Sequence, residues 1–130
     1  MYRCLRNLLL YIRPALCALV LGLGLVASAH AQIATTLVGT SNTNPTAFGQ
    51  SLILTATVTS ANGTPTGSVN FVAVPSVGDV ISLGIEPLNG GGFSSVDYAT
   101  LPVGTYTIQY YYLPTGFFSA SSDTGTHVFE

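Results

Sequence analysis

The stretch SLILTATVT, Ser51 to Thr59, alternates apolar and polar residues with a period of two. That period sends successive side chains to opposite faces of a strand, whereas a helix would mix them around its surface. Leu52, Leu54, Ala56 and Val58 therefore face a core, and Thr55, Thr57 and Thr59 face water, with Ile53 the exception on the outer face. The pattern recurs in GSVNFVAV (Gly67 to Val74), with Val69 and Phe71 inward. It recurs again in TYTIQYYYL (Thr105 to Leu113), with Tyr106, Ile108, Tyr110 and Tyr112 on one face. Four further runs complete the set: Ile33 to Thr40, Asp79 to Leu88, Phe93 to Thr100 (with Val96 and Tyr98 on one side), and Thr126 to Glu130. Thr, Val, Ile, Tyr and Phe fill these runs, which suits a pleated, half-buried surface. About seven short antiparallel strands with turn residues between them read as an all-β sandwich. No internal repeat fits the length.

The breaks between runs have their own chemistry. SNTNPTAFGQ, Ser41 to Gln50, is a crossing loop, because the residue before a proline avoids helical backbone. In NGTPTGSVNF, Asn62-Gly63 ends one corner, Pro65 blocks extension and Gly67 lets the chain turn into the next strand. No helix follows, so these glycines do not form a phosphate cradle. NGGG, Asn89 to Gly92, is a turn.

The charges are divided along the chain. Arg3, Arg6 and Arg13 are the only basic side chains, and Asp79, Glu86, Asp97, Asp123 and Glu130 are the only acidic ones. Everything after Arg13 thus carries five carboxylates and no Lys or Arg. Such a domain cannot neutralise phosphates, which argues against nucleic acid as a partner, and it is not drawn to an anionic membrane. The three arginines instead flank an uncharged apolar run, Pro14 to Ala27, followed by Ala29-His30-Ala31. This is the layout of a helical signal peptide over residues 1–31, cleaved to leave Gln32 first and no membrane attachment afterwards. The run is short for a membrane span, which needs roughly 20 apolar residues. Cys4 and Cys17 both lie in this segment, and bulky Leu16 beside Cys17 does not suit lipid attachment. The mature domain, 32–130, then has no disulfide, thiol nucleophile or Cys metal site.

Candidate sites are few. Tyr111, Phe117 and Phe118 are the residues for a ligand platform, since exposed rings stack on sugars, although aromatics more often fill cores. The carboxylates are scattered without a D-x-D pair, which does not suit calcium, and no metal or cofactor is expected. His127 is read as a surface strand residue; no Ser sits in a nucleophile motif such as G-x-S-x-G, and enzyme activity is not expected. Asn62-Gly63-Thr64 is a formal glycosylation acceptor.

The order TTL, NPTAFGQSLILTATVT, GTPTGSVNF, SLG, GGF and LPVGTYTIQYYY resembles the bacterial Ig-like domain family (group 3). The resemblance covers Thr35 to about Ser122. It implies an Ig-like sandwich with a structural or adhesive role in an exported or cell-surface protein, and it brings no catalytic residues. LPVGTY, Leu101 to Tyr106, then resembles a tyrosine corner, with Gly104 beside Tyr106 as a fold device. Two stretches depart from the family pattern: the apolar segment between Phe71 and Ser82, and LPTGFFSAS, Leu113 to Ser121. A carbohydrate-binding module and a fragment of a longer repeat protein are the alternatives. A surface glycan, another protein, or self-association through strand edges are the partners to expect, because no lysine guards the edges.

Overall fold

The protein is described by a computed structural model covering residues 30–130. Residues 1–29, which hold Cys4, Cys17, Ala29 and most of the expected signal peptide, lie outside the described residues. Seven strands follow one another: β1 (Thr36–Ser41), β2 (Leu52–Thr59), β3 (Gly67–Pro75), β4 (Ile81–Pro87), β5 (Phe93–Tyr98), β6 (Gly104–Pro114) and β7 (Ser122–Phe129). They form a three-stranded sheet in the order β1-β2-β5 and a four-stranded sheet in the order β4-β3-β6-β7. All named pairings are antiparallel. In constant-type Ig sandwiches the fourth strand lies in the first sheet. Here β4 instead folds back on β3 in the second sheet, with a register shift between Phe71 and Val72.

The inner faces follow the alternation. Leu52, Leu54, Ala56 and Val58 of β2 are buried, as are Val69, Phe71 and Ala73 of β3 and Tyr106, Ile108, Tyr110 and Tyr112 of β6. Each fully buried Leu, Val or Phe contributes about 1.5–3 kcal/mol relative to exposure. The ring of Phe71 meets that of Tyr110 edge-on, with centroids 5.7 Å apart. Gly39 lets the two sheets close at this point, because a Cβ there would collide with the Tyr110 ring.

The strand limits differ from the sequence reading at both ends. β1 starts at Thr36, and Ile33 leaves that sheet to bridge Phe118 in the loop between β6 and β7. β7 starts at Ser122 rather than Thr126. Ser, Asp and Gly are poor strand formers, and here pairing with β6 from Tyr111 to Gly104 overrides propensity.

One residue is corrected outright. His127, expected at the surface, is 1% exposed. It lies opposite inward-facing Tyr106 and shares the parity of buried Phe129, so the period of two carries it into the interior. Its ring packs on that of Phe129, with centroids 5.1 Å apart.

Candidate functional site

Two tyrosine hydroxyls anchor the junctions singled out in the sequence. Tyr106 Oη donates to Pro102 O at 2.8 Å, which ties the start of β6 to the corner before it. Gly104 lies under this ring, where an added Cβ would stand 3.7 Å from Cε2, an ordinary contact. Tyr112 Oη donates to Thr66 O at 2.6 Å, immediately before β3. Burial pushes the Tyr112 phenol above its ordinary pKa, against the lowering effect of that hydrogen bond. Gly67, the next residue, has φ +133°, and a Cβ on it would run into Leu113 O. Only glycine fits there without backbone movement. The Gly-Thr-Pro-Thr-Gly segment is thus a strand junction clamped onto the end of β6.

The three aromatic candidates are not brought together. Tyr111 faces outward from the four-stranded sheet, 40% exposed, and its Oη donates to Gln109 Oε1 at 2.8 Å. Beside it a shallow groove of about 280 Å³ is lined by Leu113, Ala120, Ser121 and Ser122. Asn70, opposite Tyr111 in register, has an Oδ1 with no hydrogen-bond partner among the described residues. Phe118 is partly buried and packs against the core. Phe117 is exposed in the same loop, outside the groove beside Tyr111.

The titratable groups are dispersed, and Asp97, Asp123 and His127 are engaged with backbone or hydroxyl partners. Ser51 Oγ donates to Asp97 Oδ1. An Asp123 carboxylate oxygen accepts from Gly39 N–H at 2.9 Å, across the gap between β7 and β1. His127 Nε2 stands 3.0 Å from Thr46 Oγ1, and its Nδ1 has no hydrogen-bond partner among the described residues. Burial holds the imidazole below its ordinary pKa. His127 therefore meets a threonine of the crossing loop and neither a serine nor a carboxylate. Among the described residues, no three His, Cys, Asp or Glu side chains come together around a metal-sized space.

The crossing loop was legible in the sequence, but its pairing with β7 was not. Residues 42–48 run along the outer edge of β7. Thr46 N–H donates to Val128 O at 2.9 Å, Glu130 N–H to Thr46 O at 3.0 Å, and Phe48 N–H to Glu130 O at 2.6 Å. The Asn44 side chain extends the pairing: its Nδ2 donates to Thr126 O at 2.9 Å, and its Oδ1 accepts from Val128 N–H at 3.1 Å. Asn42 does the same for β2, donating to Ser51 O at 3.3 Å and accepting from Ile53 N–H at 2.9 Å. Two asparagine amides thus stand in for strand backbone. The edge of β7, expected to be bare, is covered by this strap.

Seven strands in a three-plus-four sandwich, with a tyrosine tying the corner before the sixth, agree with one family comparison. The model of the bacterial Ig-like domain (group 3) matches residues 38–129. The chain belongs to that family. The match begins within β1 and ends at the last residue of β7, so this bacterial Ig-like domain fills almost the whole described sandwich. A search of the curated proteins returned no match. The domain is a structural Ig-like module of a generally non-catalytic family.

Proposed function

We propose that the chain works as an exported, non-catalytic module that holds shape and presents loops and strand edges for adhesion outside the cytoplasm. What carries this reading is the match of the bacterial Ig-like domain to nearly all of the described sandwich. Its polar side chains serve backbone: Tyr106, Tyr112, Asn42, Asn44 and Asp123 each bond a peptide group. Residues 1–31 act as the leader, cleaved before Gln32, and the domain then stands at the cell surface or is released. Expression of the full chain in a bacterial host tests this through the intact mass of the exported fraction. A species starting at Gln32 is expected; full-length chain held in the cytoplasm or membrane would overturn it.

A second reading, glycan binding, has one observation behind it. Tyr111 offers an exposed ring beside a shallow groove that Ser121 and Ser122 also line. Aromatic faces and adjacent polar groups are what a sugar ring uses. A glycan array should then show binding that Tyr111→Ala abolishes. Binding unchanged by that substitution, or none at all, removes the reading.

A further inference from the structure

The strap over β7 is held from below by a group that can change charge. Thr46 is fully buried, and its hydroxyl lies between His127 Nε2 at 3.0 Å and Thr43 Oγ1 at 2.9 Å. The neutral ring fits this place with the proton on Nε2, donating to Thr46, while Thr46 passes its own proton towards Thr43. The bare Nδ1 lone pair is then the only group left over. A second proton would put a buried N–H on Nδ1 with no acceptor, together with a full charge. Both are unfavourable where water is excluded.

No neighbouring charge compensates. The strap, β1 and β2 contribute no titratable side chain. β6 presents the phenols of Tyr106 and Tyr110, neither of them a carboxylate. On β7 itself, Asp123 is committed to Gly39 N–H, and Glu130 lies exposed at the strand end. A cavity of about 130 Å³, lined by Gly39, Ser41, Leu54, Tyr110, Thr126 and His127, lies beside the ring.

We infer that the 42–48 strap is a releasable cover, latched through Thr46 to His127, and that protonation of His127 lifts it to uncover a strand edge where β7 of a second copy pairs. Lifting it frees the Thr126, Val128 and Glu130 carbonyls and the Val128 and Glu130 N–H groups. A row of unpaired donors and acceptors is a template for another strand. The partner is a second copy: β7 carries no Lys or Arg to guard its edge, so no cationic side chain keeps two β7 strands from pairing. The inference stands on the strap geometry alone and holds whether or not the chain is exported.

Amide hydrogen exchange of the purified chain, corrected for intrinsic rates, tests it between neutral pH and about pH 4.5. Protection at Thr46, Phe48, Val128 and Glu130 should fall on the order of tenfold more than at Phe71 and Tyr110 in the core. Sedimentation over the same range should show monomer giving way to dimer. His127→Gln, whose amide still donates to Thr46 but takes no proton, should keep the strap closed and the chain monomeric. Should that variant not fold, Asn44→Ala replaces it: a weakened strap should open nearer to neutral pH. Four outcomes would each overturn the proposal: a strap protected throughout, strap and core opening together, a substituted chain that follows the wild type, and a strap that opens while the chain stays monomeric at high concentration.

Discussion

The two long seams of the sandwich are closed by different means. On one side β1 faces β7, and polar groups span the gap: Asp123 on Gly39 N–H, His127 on Thr46, and Asn44 on two peptide groups of β7. On the other side β4 faces β5, and one hydroxyl bridges them, Ser94 Oγ donating to Glu86 O at 3.0 Å. Ile85 and Phe93 stay exposed on those two strands. The first seam fixes the edges of the sheets through directional bonds. The second rests on the shared apolar core and leaves two edges open.

The contrast is broken most directly through aromatic residues. Phe129 is buried in the first seam and meets Tyr106 edge-on at 5.8 Å. Phe129→Ala should destabilise by about 3–5 kcal/mol, through lost transfer energy and the cavity left behind. Phe93→Ala, at a ring 47% exposed, should stay within about 0.5 kcal/mol. Urea unfolding of both variants decides the matter. Equal shifts would mean that the two seams do not differ.

A smaller test compares the bridging bonds. Asn44→Ala removes a donor to Thr126 O and an acceptor for Val128 N–H, and it should lose about 2 kcal/mol. Ser94→Ala removes one bond and should lose about 1 kcal/mol. A greater loss at Ser94 would invert the ranking. Tyr106→Phe, which keeps the ring against Phe129 and removes only the hydroxyl at the corner, should also lose about 1 kcal/mol through its bond to Pro102 O. Its unfolding midpoint should fall without any change in exchange at either seam.

The difference between the seams also explains what could be read beforehand. The core of β2, β3 and β6 follows from alternation, because buried apolar side chains leave a period in the sequence. The polar seam leaves none. Nothing about Asn44 distinguishes an amide that imitates a strand from one in an ordinary turn, since its partners lie more than eighty positions away. His127 was within reach: Phe129 two residues on is a strong inward residue, and parity places His127 beside it. The terminal position and the polarity of imidazole point the other way. The candidate aromatics divided for a similar reason. Strand parity settles that Tyr111 faces out, but no period governs the loop in which Phe118 turns towards the core.

The smallest effect at neutral pH separates the seams by their titration. Tyr110 lies behind Gly39 in the first seam, and its Oη donates to Thr40 O at a long 3.4 Å, so Tyr110→Phe should change stability by only a few tenths of a kcal/mol near pH 7. Burial, and after it the Asp123 carboxylate, push this phenol up from its ordinary value of 10.0 to about 12. The folded state then binds the proton more tightly than the unfolded one. The stabilisation is complete below about pH 10 and is lost as pH rises from there towards 12. His127, held low by burial, works with the opposite sign: its contribution is complete above its unfolded value of about 6.5 and is lost as pH falls. Stability plotted against pH should therefore fall on both flanks. Tyr110→Phe should shrink the alkaline flank, to which the raised Tyr112 phenol also contributes, and His127→Gln should flatten the acid flank. In the second seam Glu86 enters through its backbone carbonyl, so Ser94→Ala should lower the whole profile and leave its shape unchanged. An alkaline flank undiminished by Tyr110→Phe would show that the first seam is not where the domain senses base.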